Sequence, residues 1–514
     1  MSKTIIIIGA GLAGLSAALQ AAENGCNVKL VSSLPPERAQ SVMAEGGINA
    51  ALNTKDENDS PEEHFTDTIK AACGLADPNA VWGMTQAAPE LVHWLLKLGV
   101  KFNMSGYDDV DLRNFGGQKK KRTAFAQSDT GKQIMTAMID AVRRKEASGM
   151  VERFSHHSFL TLRLCGNICC GCVIRDEYSQ ETVELPGDAV IVATGGMHGL
   201  FGNTTGSLSN TGEVTAELFR LGVPLANGEM IQYHPTTVKC GGKRMLISEA
   251  ARGEGGRLFA MKDGKQWYFM EEKYPELGNL MPRDITAREI WKVSHESEVF
   301  LDMTEISEEI ISNKLSGLAD DCMTYLHKDI RKEPVSVLPG IHYFMGGILV
   351  DEQHRTPIQN LYAAGECCAQ YHGANRLGGN SLLGALYGGR VAAKSACEQA
   401  DVVDLSCATQ IDFPPASQIS EIKQLNKVMQ ETMGVVRNEN TLLNGIQTVQ
   451  ALTGNLPLLG MAVLKSALAR KESRGAHWRE DYPKSNDDDY LKTTVARFDG
   501  KQIQISFVPV PERR

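Results

Sequence analysis

The N-terminal segment constrains the fold more strongly than any other part of the chain. In "KTIIIIGAGLAGLSAALQAAENGCNVKLVSS" an apolar run, Ile5–Ile8, precedes a glycine turn and a helical repeat of leucines, and a second apolar strand, Val28–Val31, follows. Gly9, Gly11 and Gly14 form a G-x-G-x-x-G pattern between the strand and the helix. There the glycines permit a tight turn and let a pyrophosphate approach the N-terminus of the helix. The segment therefore predicts a βαβ unit that binds a dinucleotide.

The end of the second strand bears on which dinucleotide is bound. This strand ends in Ser32–Ser33, whereas NAD sites carry an Asp or Glu there that holds the adenosine ribose. The ribose contact must therefore come from another part of the chain. This departure favours a flavin dinucleotide over NAD without deciding between them.

The rest of the chain divides into regions of different pattern. With 514 residues, 42% of them hydrophobic, the chain exceeds one comfortable core. "GDAVIVATGG" (Gly187–Gly196) and "NLYAAGE" (Asn360–Glu366) resemble further buried parallel strands, and charged helices with glycine hairpins lie between them. The prediction is an α/β protein: a discontinuous Rossmann-like FAD-binding domain (1–236 and 340–400), an inserted α+β capping domain (237–339), and a C-terminal helical domain (401–514) that ends in a hairpin.

Composition excludes several classes of protein. A net charge of −9 and a pI near 5.8 disfavour nucleic-acid binding, and the one basic run, Gln118–Arg122, is predicted to be a solvated loop. No apolar stretch approaches the roughly 18 residues that a membrane-spanning helix needs, and the run Ile5–Ile8 is too short and too β-branched for the apolar part of a signal segment. The twelve cysteines fit a reducing compartment. We therefore expect a cytoplasmic protein without a direct membrane span.

A cluster of cysteines raises the question of a metal site. Cys165, Cys169, Cys170 and Cys172 lie in the strand–turn–strand pattern "FLTLRLCGNICCGCVIRDEY", with no second pair at zinc-like spacing. This pattern favours structural cysteines of a hairpin over metal ligands. No metal site is predicted.

Five segments combine basic side chains with small residues: "QYHPTT", "SEAARGEGG", "MPRD", "HYFMGG" and the loop around Arg376. His234 precedes a proline, which favours an extended backbone, and His342 precedes a glycine turn, so both can present imidazoles to a cavity. Each histidine could equally be a core residue bonded to a carbonyl. Arg252 and Arg283 could likewise form structural pairs with Glu249, Glu254 or Asp284. No Gly-x-Ser-x-Gly motif supports a serine hydrolase.

Ten motifs, in order and over nearly the whole chain, carry a resemblance to a known family. The chain resembles the flavoprotein subunit of the fumarate reductase/succinate dehydrogenase family, of which L-aspartate oxidase is a close relative. The motifs are "GAGLAG", "AEGGINAAL", "FGGQKKKRTAFAQSDTG", "ATGG", "QYHPT", "RGEGG", "PRD", "HYFMGG", "HGANRLGGNSL" and "ESRGAHWREDYP".

The resemblance implies a function and a site. It implies bound FAD, a dicarboxylate site between the flavin domain and the cap, and hydride transfer between flavin N5 and a C=C bond. The expected reaction is fumarate reduction of the kind used in anaerobic respiration, with Arg283 as the proton donor and Glu249 and Arg252 relaying protons to it. His234, Ser248, His342 and Arg376 would hold the carboxylates, because a dianion suits a guanidinium fork and imidazoles. The residues expected around FAD are Gly9, Gly11, Gly14, Ser33, Arg38, Ala44, Gly46, Gly47, Glu213, Glu366, Ser381 and Leu382.

The chain departs from the family pattern at several positions. Gln40 stands where many members carry the histidine that links FAD covalently, so FAD is expected to be non-covalent. Ser248 replaces the usual threonine and Glu213 the usual aspartate. The chain is also shorter than typical members, which leaves the docking of an iron–sulfur subunit, or of another electron donor, open. Through such a partner the protein could lie on the cytoplasmic face of the inner membrane.

Alternatives remain at this point. L-aspartate oxidase shares the motifs and also holds FAD without a covalent bond, and a related enoate could replace fumarate as substrate. "FGGQKKKRT" and "HYFMGG" favour fumarate reductase. A flavoprotein that only transfers electrons or binds ligands would not need His234, Arg283, His342 and Arg376 together.

Overall fold

The computed structural model describes residues 2–106, 109–401, 411, 413 and 418–514. Its strands are β1 (Thr4–Ile8), β2 (Asn27–Ser32), β3 (Ile48–Asn49), β4 (Leu112–Arg113), β5 (Thr123–Ala124), β6 (Val151–Ser155), β7 (His157–Cys165), β8 (Ile168–Asp176), β9 (Thr182–Pro186), β10 (Ala189–Val192), β11 (Leu225–Ala226), β12 (Ile231–Cys240), β13 (Lys243–Leu246), β14 (Arg257–Lys262), β15 (Lys265–Trp267), β16 (Val299–Asp302), β17 (Val335–Ser336), β18 (Leu338–Phe344), β19 (Gly347–Leu349), β20 (Leu361–Ala363), β21 (Cys368–Ala369), β22 (Lys492–Phe498) and β23 (Ile503–Pro509).

The helices in the same residues are α1 (Leu12–Glu23), α2 (Pro61–Ala71), α3 (Pro78–Leu98), α4 (Thr130–Ala147), α5 (Glu213–Arg220), α6 (Glu249–Gly253), α7 (Phe269–Lys273), α8 (Arg283–Val293), α9 (Glu308–Lys314), α10 (Ser316–Asp321), α11 (Asn380–Gln399), α12 (Ile419–Thr432), α13 (Glu439–Val449), α14 (Asn455–Ala469) and α15 (Asp487–Tyr490). None of the helices in the described ranges is both long enough and apolar enough to cross a membrane.

A five-stranded parallel sheet forms the centre of the dinucleotide-binding region, in the order β20-β10-β1-β2-β6. Ile5 and Ile7 of β1 pack into the core that includes α1, while Ile6 and Ile8 pack into the core on the opposite face. Because both faces of the strand are covered, β1 is apolar throughout instead of alternating. The predicted βαβ unit and the predicted parallel strands β10 and β20 are confirmed.

The cysteine-rich segment forms the predicted hairpin. Strands β7 and β8 pair antiparallel, and β9 completes a three-stranded sheet. Cys169, Cys170 and Cys172 are free thiols buried along β8, whereas Cys165 at the end of β7 is disulfide-bonded. The predicted hairpin is confirmed.

The inserted segment has a sheet and a core of its own. Strands β14 to β17 form a four-stranded sheet, and Leu258, Ile290 and Leu301 lie in the apolar core beneath it. A separate sheet, β13-β12-β18, connects this segment to the rest of the molecule. The α/β class with an inserted α+β segment is confirmed. The predicted junction at residues 236 and 237 falls inside β12, and the exact domain boundaries stay a prediction.

The C-terminal region consists of helices and the predicted hairpin. Helices α12 to α14 enclose a core that includes Leu425, Leu442 and Leu459. Strand β22 pairs with β11, and β23 pairs with β22 at the end of the sheet order β21-β19-β11-β22-β23. Residues 402–410, 412 and 414–417, which join this region to α11, lie outside the described residues.

The basic run at Gln118–Arg122 differs from its prediction as a solvated loop. Gln118 is 4% exposed and Arg122 is fully buried. Arg122 Nη2 lies 2.8 Å from Asp59 Oδ1 and 3.0 Å from Asp67 Oδ2. A buried guanidinium requires such anionic partners. The prediction of a solvated loop is therefore wrong at Gln118 and at Arg122. The two carboxylates that pair with Arg122 belong to an earlier segment of the chain, so the sequence around the basic run does not reveal them.

Candidate active site

A cavity of about 870 Å³ lies at the carboxyl ends of β1, β10 and β20 and extends under the inserted segment. The predicted FAD residues that line it are Gly9, Gly11, Ser33, Arg38, Ala44, Gly46, Gly47, Glu213, Glu366, Ser381 and Leu382. The predicted substrate and proton-transfer residues that line it are His234, Ser248, Glu249, Arg283, His342 and Arg376. Gly14 and Arg252 lie behind the lining. The cavity thus brings together residues from distant parts of the chain.

The glycine turn after β1 forms one wall of the cavity. Gly9 has a φ of +110°, and a Cβ there would lie 2.3 Å from the Ala193 carbonyl oxygen. A Cβ at Gly14 would lie 1.8 Å from the Gly9 carbonyl oxygen, so Gly14 packs the helix against the turn. At Gly11, by contrast, the nearest atom to a Cβ is Ser41 Oγ at 3.7 Å. The turn therefore leaves the N-terminus of α1 open to a ligand, as a pyrophosphate requires.

Unsatisfied polar groups at the cavity fit a bound dinucleotide. Ser32 and Glu45 line this cavity. Their buried Oγ and Oε2 atoms have no hydrogen-bond partner among the described residues. Buried hydroxyl and carboxyl groups rarely remain unpaired in the functional state of a protein. Ser381 and Leu382, in the first turn of α11, lie on another part of the wall. The residues present therefore fit a large polar cofactor.

Gln40, which the sequence resemblance aligned with the linking histidine of other members, also lines the cavity. Its Oε1 accepts a hydrogen bond of 2.6 Å from the backbone N–H of Ser207. The side chain is therefore anchored to the loop that precedes α5.

Two imidazoles face each other at the inner end of the cavity. His234 lies on β12 and His342 on the paired strand β18, with ring centroids 5.2 Å apart. His342 Nδ1 is 2.8 Å from Thr205 Oγ1, and His234 Nδ1 is 3.3 Å from the backbone N–H of Thr236, from which it can accept a hydrogen bond. Burial, reinforced by the nearby Arg283, lowers the pKa of both histidines well below the ordinary value. Both rings are therefore neutral at physiological pH.

Arg376 is a buried cation that forms no ion pair with any residue that the structure describes. The residue is 3% exposed, and its guanidinium carbon lies 4.5 Å from the centroid of the Tyr343 ring. Within the described part of the chain it forms no ion pair, and its Nε has no hydrogen-bond partner. Burial, followed by repulsion from Arg283, lowers its pKa to about 9. A buried unpaired guanidinium in a cavity indicates a site for an anionic ligand.

Glu249 joins the two other arginines of the site. Its Oε2 accepts hydrogen bonds from Arg283 Nε at 2.8 Å and Nη2 at 2.5 Å, and its Oε1 lies 3.5 Å from Arg252 Nη2. The backbone N–H of Gly116 also donates to Oε1, at 3.1 Å. Burial alone would raise the pKa of Glu249, but Arg283 and Arg252 outweigh it and hold the pKa below its ordinary value. The carboxylate is therefore ionised between two guanidinium groups.

The contacts show which carboxylates pair with Arg252 and Arg283. Glu254 pairs with Lys314 at 3.0 Å, and Asp284 lies 4.0 Å from Arg288, so neither carboxylate is taken up by Arg252 or Arg283. Arg252 Nη1 donates instead to the carbonyl oxygen of Asn279, at 2.6 Å. Arg283 pairs with Glu249, one of the three carboxylates considered from the sequence, and it also borders the cavity.

Sequence reasoning missed several residues of the site. Gln232 accepts a hydrogen bond from Arg283, Thr205 contacts His342, and Tyr343 lies against Arg376. Gln232 precedes His234 by two residues in one strand, a spacing that places side chains on the same face and could have marked it. Nothing in the sequence around Thr205 indicates its role.

Comparison with known proteins identifies the family. A family model described as FAD binding domain matches residues 4–382, and one described as Fumarate reductase flavoprotein C-term matches residues 452–513. The succinate dehydrogenase flavoprotein subunit of Bacillus subtilis is 38% identical over 576 aligned residues, which cover 100% of this chain and 98% of that protein. The 8-methylmenaquinol:fumarate reductase flavoprotein subunit of Wolinella succinogenes is 32% identical, with 100% and 92% covered.

Solved structures agree with this result. A variant of the E. coli quinol fumarate reductase FrdA superposes with a TM-score of 0.90 at 28% identity, covering 99% of this chain and 97% of that chain. Mycobacterium smegmatis Sdh1 in complex with UQ1 superposes with a TM-score of 0.84 at 29% identity, covering 100% and 95%.

The fold, the site and these matches define an FAD-dependent oxidoreductase. The chain belongs to the succinate dehydrogenase/fumarate reductase flavoprotein family. The family, the fold class and FAD as the cofactor, all implied by the sequence resemblance, are confirmed.

Proposed function

We propose that this flavoprotein reduces fumarate to succinate, with Arg283 as the proton donor. The observation that supports the proposal most strongly is Arg376. It is a buried cation that has no anionic partner in the described ranges of the chain, and it shares a cavity with two imidazoles. A dicarboxylate would supply the missing negative charge and place its carbon chain beside Arg283. FAD, when bound in its reduced form, supplies the hydride from N5 to one alkene carbon.

The binding residues have complementary roles. Arg376 binds one carboxylate through its guanidinium, and His234, His342 and Ser248 donate hydrogen bonds to carboxylate oxygens. Because both imidazoles are neutral, they add hydrogen bonds without adding charge. Polarising one carboxylate draws electron density from the double bond and makes its carbon a better hydride acceptor.

Arg283 donates a proton to the second alkene carbon. An arginine is a very weak acid, so it can act only because the developing carbanion is more basic still. Glu249 lies between the two arginines, with one oxygen near Arg283 and the other near Arg252. Protons return to Arg283 from Arg252 through Glu249, and burial lowers the pKa of Arg252, which eases its loss of a proton.

The proposal is tested with purified holoprotein and a reduced viologen as electron donor. We expect rapid oxidation of the viologen with fumarate, and little with urocanate, acrylates or a source of iminoaspartate. Preferential turnover of iminoaspartate would assign the protein to the L-aspartate oxidase reaction, and turnover of another enoate alone would change the substrate. Inactivity towards the whole panel would contradict the proposal.

FAD is proposed to be bound without a covalent link, because the amide of Gln40 cannot form the bond that a histidine forms at this position. We expect acid precipitation to release all of the yellow colour into the supernatant. The denatured protein should show no flavin fluorescence on a gel. Fluorescence that stays with the denatured band would contradict this prediction.

The missing covalent link also bears on the direction of the reaction. Without this electron-withdrawing substituent the flavin potential is lower, which favours fumarate reduction over succinate oxidation. The two directions can be compared with artificial electron carriers of suitable potential. Succinate oxidation as fast as fumarate reduction would contradict the reductive assignment.

The electron donor is proposed to be a separate protein. The relatives are named flavoprotein subunits, which supports an iron–sulfur subunit, or another donor protein, as the partner of this chain. We infer a cytoplasmic location in which the chain reaches the inner membrane only through such a partner.

A further inference from the structure

Gln232 connects two residues to which the proposed mechanism gives different tasks. Its Oε1 accepts a hydrogen bond of 3.1 Å from Arg283 Nη1. Its Nε2 donates to Asn375 Oδ1 at 2.9 Å and to the carbonyl oxygen of Arg376 at 2.8 Å. The side chain is fully buried. A guanidinium only donates and a carbonyl only accepts, so these partners fix the orientation of the amide.

The loop that carries Arg376 is held from the other side as well. Asn375 Nδ2 donates to Asp284 Oδ1 at 3.1 Å, and Asp284 Oδ2 lies 4.0 Å from Arg288 Nη2. Arg288 in turn lies 4.0 Å from the ring centroid of Trp478 in the C-terminal region. The contacts therefore continue from Gln232 through Asn375 to a region outside the cavity.

The support that Gln232 gives Arg283 differs from that of Glu249. Glu249 contacts Arg283 through one oxygen, Oε2, at Nε and Nη2, so the guanidinium could still swing about that oxygen. Gln232 contacts the remaining nitrogen, Nη1. Two anchors on opposite sides define the plane of a guanidinium, which a single oxygen does not.

We propose that Gln232 is a positioning residue that couples the carboxylate-binding loop, Asn375–Arg376, to the orientation of the proton donor Arg283. This inference rests on the proposed function, because it assigns Gln232 a role in that reaction. When a carboxylate binds Arg376, the backbone carbonyl of Arg376 moves together with the Gln232 amide that is hydrogen-bonded to it. The Gln232 amide then fixes the position of Arg283 Nη1. Arg283 is then oriented for proton transfer only when the Asn375–Arg376 loop is in its carboxylate-bound position.

The first test is Gln232→Met in the FAD-loaded protein, a change that keeps the length of the side chain and removes its hydrogen bonds. We expect the FAD content and the affinity of the oxidised enzyme for succinate, measured by flavin difference spectra, to stay within about threefold. The kcat for fumarate should fall about 10- to 100-fold, the range associated with misplacement of a catalytic group. The solvent deuterium isotope effect on kcat should rise, because proton transfer becomes more strongly rate-limiting.

The second test is Asn375→Leu, alone and combined with Gln232→Met. Asn375 Oδ1 contacts Gln232, and its Nδ2 contacts Asp284, the residue after Arg283. If Asn375 acts on Arg283 through Gln232 and not through Asp284, the double variant will be no slower than the slower single variant. Gln370→Met is the matched control, because Gln370 is also a buried glutamine, 7% exposed, and its Nε2 bonds to the carbonyl oxygen of Asp351. Its loss should lower the melting temperature and leave kcat and the isotope effect unchanged.

The outcomes separate this inference from the function on which it rests. A wild-type protein that reduces no fumarate overturns the proposed function and the inference with it. An active wild type with a normal kcat and isotope effect in Gln232→Met overturns the inference alone. If Gln232→Met does not fold, Asn375→Leu decides: a lowered kcat with a raised isotope effect supports the coupling, and wild-type values overturn it. Losses that multiply in the double variant also contradict the coupling.

Discussion

At the scale of single residues, Arg376 illustrates why buried charge indicates a ligand. Replacing it by alanine removes a cation whose partner is the proposed substrate, and losing one partner of a buried ion pair costs about 3–5 kcal/mol. We expect Arg376→Ala to raise KM for fumarate at least about 100-fold, measured with reduced viologen. Arg390→Ala is the control, because Arg390 lies over Trp94 and does not line the cavity. An unchanged KM in Arg376→Ala would mean that the carboxylates bind elsewhere.

Glu45 provides a residue-scale prediction about pH. Burial, together with Asp321 and Asp129 and against the opposing effect of Arg113, raises the pKa of Glu45 from its ordinary 4.5 to about 8. Between about pH 4.5 and pH 8 the Glu45 carboxyl keeps its proton in the folded state and has lost it in the unfolded state. The stability associated with Glu45 is therefore complete below about pH 4.5 and is lost as the pH rises towards 8. We expect Glu45→Gln to melt higher than the wild type at pH 8.5, with the advantage disappearing near pH 5. A difference that does not change with pH would contradict the assignment.

At the scale of elements, the first βαβ unit could be predicted because its signals are local. The apolar run, the glycine spacing and the leucine repeat lie within one short segment, and β1, α1 and β2 follow them. The sheet β13-β12-β18 could not be predicted in this way, since β12 and β18 lie far apart in the chain and their pairing contains register shifts beside His234. The burial of Arg122 was missed for the same reason, because Asp59 and Asp67 are distant in sequence.

The start of α1 allows two glycines to be distinguished by experiment. Gly14→Ala places a methyl group against the Gly9 carbonyl oxygen and should lower the melting temperature even without FAD. Gly11→Ala meets no atom closer than 3.7 Å, so the apoprotein should be nearly as stable as the wild type while its FAD affinity falls at least about tenfold, because the backbone can no longer approach the pyrophosphate.

Gly242→Ala is the control for this pair, because a Cβ there has no atom within 4 Å. Differential scanning calorimetry of the apoproteins and fluorescence titration with FAD measure the two effects separately. Equal stability losses in Gly11→Ala and Gly14→Ala would contradict the distinction.

At the scale of the whole molecule, the site depends on contacts that sequence order alone does not reveal. His234, His342, Arg283 and Arg376 come from four segments, and they meet because the inserted segment closes over the carboxyl ends of the parallel sheet. Their identities could be predicted from the family resemblance, whereas the link through Gln232 could not, since it depends on hydrogen-bond geometry between β12, α8 and the Arg376 loop.

The most direct test of the proposed mechanism is the rate at which fumarate reoxidises the reduced flavin in a single turnover, compared between the wild type and Arg283→Gln in a stopped-flow instrument. Because the flavin is reduced before mixing, this measurement follows hydride and proton transfer without a contribution from the step in which the electron donor reduces the flavin. The account predicts rapid reoxidation in the wild type and a rate at least roughly 10²–10⁴-fold lower in Arg283→Gln with FAD still bound, the range typical of lost general acid catalysis. Reoxidation of Arg283→Gln at the wild-type rate would contradict the account, because the proton would then come from another group.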